Sequence, residues 1–304
     1  MRISTNTIYQ SGISKITNLQ ADQTRLQGQI STGKRFVTPA DDPVAAARVL
    51  EVSHNKELNN SYADVRKTAQ TNLETLESSL GNITNLLVSA QSTLVAAGNG
   101  AYSNAERSNL GKELKNSLDA LLGMANAKDA YGNYMYAGFK SDAPAFVANA
   151  TGASYSGDSN VQLLQVDSQR QMEVSVPGDS VFQAGGADVF ATLTNIVNLL
   201  NTPITDATTQ AAFTSGLATA IDGMKTSVDN VLNARASVGA KLNELDSLNL
   251  AGQDRDLQYD KALSNLQDLD YAAAVSDLSK NQTIMDAAQK SFVATTKLSL
   301  FNFI

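Results

Sequence analysis

Apolar positions recur by threes and fours along most of this chain, with one interruption in the middle. Near the start, Tyr9, Gly12, Ile16, Leu19, Gln23, Leu26 and Ile30 trace a seven-residue repeat, with Ile3, Ile8 and Ile13 beside it. Gly and Gln dilute that seam, and an isolated helix pair so thinly apolar is marginal in water. After Val44 the repeat resumes through Tyr62, Val65, Ala69, Leu73, Leu76, Leu80, Ile83, Leu87, Ala90 and Leu94. It predicts a helix from about Val44 to Ala97, roughly 80 Å long at 1.5 Å per residue. Gly98 and Gly100 end it, and Ser103-Asn104-Ala105-Glu106 reads as a capping box opening a second helix through Leu110, Leu114, Leu118, Leu121 and Ala125.

The pattern returns after the middle. Asp188 is placed to cap a helix over 189–200, which Pro203 stops. The cleanest heptad follows, through Leu217, Ile221, Met224, Val228, Val231, Arg235, Val238, Leu242 and Leu245, and is expected to pack antiparallel on the long ascending helix. Arg235 stands on that seam, either setting register or snorkelling to its edge. From Gln253 to Ile304 there is no Gly and no Pro, so one uninterrupted helix is predicted. Its stripe is narrow: Leu278, Met285 and Phe292 at seven-residue spacing, flanked by Val275, Ala288 and Val293, with Gln282 and Gln289 on the same face. A stripe this thin is a coiled-coil seam and needs a partner helix. The chain then ends on an apolar tip, Ser299-Leu300-Phe301-Asn302-Phe303-Ile304.

The interruption has a different composition. Of nine Tyr and nine Phe, eight fall between Tyr131 and Phe190, with Pro144 and Pro177 among them. Val161-Gln162-Leu163, Gln165-Val166-Asp167 and Met172-Glu173-Val174-Ser175-Val176 alternate as half-buried strands do, and Ser156-Gly157-Asp158 and Pro177-Gly178-Asp179 read as turns. Residues 131–186 are therefore expected to form a small β-rich insert at the tip of a helical rod. Its Tyr cluster suits core packing, with a sugar or a neighbouring subunit as the other reading.

Composition narrows the function classes. The charged fraction is 17%, the net charge is -7, and there is neither Cys nor Trp. An acidic chain argues against nucleic acid and anionic membranes as partners. Without Cys there is no disulfide frame and no thiolate metal site. The opening Met1-Arg2-Ile3-Ser4-Thr5-Asn6 has no apolar signal core and no stretch approaches a membrane span, so a cytosolic protein, or one exported without a cleaved signal, is expected. No nucleophile lies beside a base, no phosphate loop or cofactor fingerprint is present, and the single histidine, His54, has no acidic or metal context. The expectation is a structural protein with no catalytic, cofactor or metal site.

Between the first two heptads lies Ile30-Ser31-Thr32-Gly33-Lys34-Arg35-Phe36-Val37-Thr38-Pro39-Ala40-Asp41-Asp42-Pro43. Gly33 is suited to a left-handed helix cap, Asp41 or Asp42 to capping the next helix, and Pro43 to its first turn. This phrase resembles the N-terminal signature of the flagellin superfamily. Leu269-Asp270-Tyr271-Ala272-Ala273-Ala274-Val275-Ser276-Asp277-Leu278 with Gln282, and Arg235-Ala236-Ser237-Val238-Gly239-Ala240-Lys241-Leu242-Asn243, are similar to that superfamily's other end. The opening Met1-Arg2-Ile3-Ser4-Thr5, Pro43 after Ala40-Asp41-Asp42, and Gly132-Asn133-Tyr134-Met135-Tyr136-Ala137-Gly138 resemble its hook–filament junction adaptors more than its filament subunits.

The resemblance implies a mainly α fold with a β-rich insert: an antiparallel coiled-coil rod plus a small β outer domain. The expected divisions are an N-terminal assembly segment (1–43), an ascending rod (44–130), the outer domain (131–186), a descending rod (187–252) and a C-terminal assembly helix (253–304). It implies a structural adaptor exported through the flagellar type III channel and assembled as a ring outside the cell. Its partners would be hook-associated protein 1 on the hook side, flagellin on the filament side, further copies of itself, and an export chaperone on the C-terminal helix. The assembly residues would be Ile8, Ile16, Leu19, Leu26 and Ile30 at one end and Leu278, Met285, Phe292 and Phe301 at the other. A filament subunit, or in a different class a cytosolic coiled-coil scaffold, is the alternative.

Overall fold

The computed structural model describes residues 5–297. Seven helices and four strands follow in order: α1 (Thr5–Thr32), α2 (Pro43–Ala97), α3 (Asn104–Ala125), β1 (Phe146–Asn149), β2 (Gly152–Tyr155), β3 (Leu163–Asp167), β4 (Arg170–Glu173), α4 (Gly178–Phe182), α5 (Val189–Asn201), α6 (Ala207–Gln267) and α7 (Tyr271–Lys297). They form two compact units, one of residues 59–253 and one of residues 1–58 and 254–304.

In the unit of residues 59–253, the heptad residues of α2 are the core. Ala69, Leu73, Leu80, Ile83, Leu87 and Leu94 are fully buried, and Leu217, Met224, Val231, Val238 and Leu245 of α6 join them in one cluster. The pairing is antiparallel. Gly98 of α2 lies against Leu217, Glu77 against Arg235, and Asn59 against Gly252. Arg235 resolves the two sequence readings: its Nε and Nη2 donate to Glu77 Oε1 at 3.0 and 2.6 Å, with both side chains half-buried. It bridges the two helices from the edge of the seam rather than reaching past it to water.

The insert matches the expected position but differs in its strands. It holds two separate antiparallel hairpins, β1–β2 and β3–β4. The second contains the expected alternation, starting at Leu163 and carrying a register shift between Gln165 and Asp167. The first was not anticipated, because Val147-Ala148-Asn149 and Ala153-Ser154 carry little apolar contrast. It is held from outside the sheet: Asn126 Nδ2 donates to Phe146 O at 2.8 Å and Asn126 Oδ1 accepts from Phe146 N at 2.9 Å, so one side chain imitates a neighbouring strand. Pro177-Gly178-Asp179 is also not a simple turn. It begins the short helix α4, with Pro177 at its N-cap position.

The aromatic residues sort into core and surface. Phe146, Phe182 and Phe190 are mutually packed at centroid distances of 4.9 to 5.7 Å, and Tyr136 meets Phe182 edge-on at 5.3 Å. Tyr136 is fully buried and donates its hydroxyl to Ser79 Oγ at 2.9 Å. Two residues on, Gly138 takes a left-handed φ of 68° and lies against Asp158, where a Cβ would not fit. Tyr155 packs on Phe146. Core packing accounts for most of the Tyr cluster; Tyr131 alone stays largely exposed, at 80%.

Candidate assembly site on the paired terminal helices

In the unit of residues 1–58 and 254–304, α1 and α7 lie side by side and antiparallel. A Cβ added at Gly12 would fall 2.5 Å from the Phe292 ring, and one at Gly33 would fall 2.9 Å from the Tyr271 hydroxyl. Those two contacts fix the register. Gly28 and buried Gln29 of α1 are covered beside the turn that follows the helix; along the seam itself the residues withdrawn from solvent are Gly12, Ile16, Leu19, Gln23, Leu26 and Ile30 of α1 and Ala274, Leu278, Asn281, Met285, Ala288 and Phe292 of α7. Both sets step alternately by four and three, the spacing of a two-helix seam. Tyr9 stacks at a tilt on Phe292, with centroids 5.2 Å apart. Apart from Ala274 these seam residues are half-buried, so each recovers only part of the ~1.5–3 kcal/mol that full burial of a large apolar side chain gives.

The turn after α1 organises this end of the pair. Gly33 caps α1 with φ 70°, and its amide donates to Gln29 O at 2.8 Å. Buried Gln29 donates its side-chain amide to Arg35 O. Asp42 caps α2: its Oδ1 accepts from Ala45 N at 2.9 Å, and Pro43 occupies the first helical position. Asp41 does something different. Its Oδ2 accepts from Thr38 N at 2.8 Å, Thr38 Oγ1 at 3.0 Å and Val37 N at 3.1 Å, closing the turn that leads into the helix. The two adjacent carboxylates are thus divided between a loop clamp and a helix cap.

The uninterrupted helix predicted from Gln253 onward is broken. α6 ends at Gln267 and α7 begins at Tyr271. Across the gap Leu269 N donates to Gly33 O at 3.0 Å and Arg35 N donates to Gln267 O at 2.7 Å, with an isolated antiparallel bridge between Lys34 and Asp268. Asp270 then caps α7, accepting from Ala273 N at 3.1 Å. The break comes from pairing with the turn after α1, since no Gly or Pro is there to cause it. Nearby, Lys56 on α2 reaches Asp260 and, at 3.6 Å, Asp256 on α6. The bond to Asp260 is the main cause of an ammonium pKa above its ordinary value.

Residues 3–141 match the model of the bacterial flagellin N-terminal helical region. Over its whole length the chain is also 35% identical to the flagellar hook-associated protein 3 of Escherichia coli K12, and equally so to that of Salmonella typhimurium LT2, with 99% of each chain covered in both comparisons. The chain belongs to the flagellar hook-associated protein 3 family. The structures bear on the fold alone. A flagellar hook-associated protein from Vibrio parahaemolyticus aligns with a TM-score of 0.67 at 24% identity, covering 75% of this chain and all of its own. The Legionella pneumophila flagellar hook-associated protein 3 aligns with a TM-score of 0.66 at 19% identity, covering 73% and 98% respectively.

For this member of the hook-associated protein 3 family, the residues singled out from the sequence mostly meet in the described region. Ile16, Leu19, Leu26 and Ile30 face Leu278, Met285 and Phe292 across one seam. Ile8 lies in α1, but its side chain falls outside the described residues, as does Phe301 entirely. The flanking residues Ile13, Val275 and Val293 are 44% to 52% exposed and stand beside the seam rather than in it. Gln282 and Gln289 do not interrupt this face; both are exposed. The polar seam residue of α7 is Asn281, whose Oδ1 is buried without a hydrogen-bond partner. The positions between the apolar heptad residues, Ala274, Asn281 and Ala288, complete the stripe. A four-three reading outward from Leu278 would have found them.

Asp41 carries a pH signature. The Thr38 backbone amide first, then the Thr38 hydroxyl and Val37 amide, stabilise its ionised form and lower its pKa from the ordinary 3.8. A carboxyl depressed in the folded state stabilises the turn above its unfolded pKa, and that contribution is lost as pH falls through the lower folded value. The Thr38 amide resonance should hold steady down to about pH 4 and move only below it. An inflection at the free-Asp value, or one that survives in Asp41→Asn, would count against the clamp.

Proposed function

We infer that this chain is a structural adaptor of the bacterial flagellum, joining hook-side and filament-side components at the hook–filament junction. The observation that carries the reading is 35% identity to two hook-associated protein 3 chains, with 99% of each chain covered. A solved relative from Legionella pneumophila is described as a flagellar junction protein. The α1–α7 seam gives the role a physical basis. It is thin, half-buried and carries a polar layer, so neighbouring subunits have apolar surface left to cover. Contacts of the head-to-tail kind, between different surfaces on successive copies, would close into a ring.

On this reading the partners are hook-associated protein 1 below, flagellin above, and copies of the same chain alongside. Export runs through the flagellar type III channel, with a chaperone covering the C-terminal helix beforehand. No helix among the described residues is long and apolar enough to cross a membrane. The test is deletion of the gene, with electron microscopy of the cells and an assay of flagellin in the medium. Bare hooks with flagellin shed as monomer are expected. Missing filaments with little flagellin anywhere would instead assign the chain as the filament subunit, and normal filaments and motility would overturn the reading.

A further inference from the structure

We propose that Gln23 and Asn281 form an amide layer that selects the register in which α1 and α7 pair. Gly12 meets Phe292 and Gly33 meets Tyr271, so each step forward on α1 is matched by a step back on α7. That alignment sets Ile16 against Ala288, Leu19 against Met285, Gln23 against Asn281, Leu26 against Leu278 and Ile30 against Ala274. Gln23 and Asn281 are both half-buried, and apolar layers flank them on either side. Asn281 Oδ1 is shut off from solvent and no hydrogen bond reaches it, while Gln23 in the same layer carries a side-chain amide donor that a change of rotamer would turn toward it.

Apart from the fit of Phe292 over Gly12 at the far end, the apolar layers do little to distinguish one register from another. A slip of one heptad still sets aliphatic residues against each other, for instance Leu26 against Met285. The amide layer does not tolerate the slip. Sliding one way sets Gln23 against Ala288 and Asn281 against Ile30; sliding the other way sets them against Ala274 and Ile16. Each slip strands two amides among apolar groups, and a buried polar group without a partner costs about 1–3 kcal/mol. A single polar position in a coiled-coil seam is known to fix register while lowering stability. The backbone bonds between Gly33 and Leu269 and between Arg35 and Gln267 hold the near end of the pair. The amide layer acts further along, where only side chains set the alignment.

The chain contains no Cys, so introduced thiols report without background. In the full-length protein, Leu19→Cys with Met285→Cys tests the observed register, and Leu26→Cys with Met285→Cys tests a one-heptad slip. Seven residues of helix are about 10 Å, beyond the ~7 Å Cα separation a disulfide spans. The ratio of the two cross-linking rates under mild oxidation is measured with and without Gln23→Leu plus Asn281→Leu. We expect the native pair to dominate in the parent and its advantage to fall at least tenfold in the leucine background. The leucine variant should also protect residues 5–30 and 271–297 better against protease. A rate ratio unchanged within twofold, weaker protection with leucine, or no native-register cross-link in the parent would each overturn the proposal.

Discussion

Phe292→Asp should leave residues 59–253 folded and abolish incorporation at the junction. Phe292 fills the space that Gly12 leaves open and meets the Tyr9 ring, so it is the largest apolar contact in the outer half of the seam. Replacing it removes about 2 kcal/mol of partial burial and puts a carboxylate against an apolar surface. Phe292 is not a member of the buried core of residues 59–253, which runs from Ala69 to Leu245. The expected result is an unchanged urea midpoint for the unit of residues 59–253, with complementation of a deletion strain reduced to the uncomplemented level. Wild-type motility from this variant would remove the basis for assigning assembly to the seam.

Arg66→Leu should cost about 2–3 kcal/mol, because it leaves the buried Val166 carbonyl and the half-buried Asn249 side-chain oxygen without this donor, and a buried group left unpaired costs about 1–3 kcal/mol. Arg66 is 1% exposed, the largest of the fully buried side chains. Its Nη1 donates to Val166 O at 3.0 Å and its Nε to Asn249 Oδ1 at 2.8 Å, tying α2 to β3 and α6 at once. Gly252 belongs to the same arrangement, since any Cβ there would run into the guanidinium. Arg235→Ala is the contrast. Its pair with Glu77 is half-exposed, so water screens it, and the expected loss is under about 1 kcal/mol. Urea denaturation of the two variants should separate them clearly; equal losses would mean that burial does not set the scale here.

The long helices were legible because a heptad states both the element and its buried face. The capping box at Ser103 and Glu106 and the Asp188 cap are formed as their spacing implied, with Asp188 Oδ1 accepting from Phe190 N and Ala191 N at 2.9 and 3.0 Å. The features that sequence did not reveal depend on distant partners. Hairpin β1–β2 owes its edge to Asn126 and its turn to Gly152 at φ 134°, neither of which alternation reports. Arg66 reads as an ordinary exposed helix cation until β3 folds over it. Within the seam, the apolar heptad positions are readable, while Asn281 is not readable from its residue type, because an isolated Asn on a polar-rich helix carries no mark of burial until the facing helix is in place.

The interruption between α6 and α7 has one further consequence. A stop made by Gly or Pro belongs to the segment that contains it and travels with it. Here the stop is borrowed: Gly33 and Arg35, near the opposite terminus, supply the backbone groups that end α6. The end of α6 is therefore written in part by residues more than two hundred positions away. A substitution at Gly33, which holds a left-handed φ of 70°, is expected to disturb the α6–α7 junction as well as the end of α1.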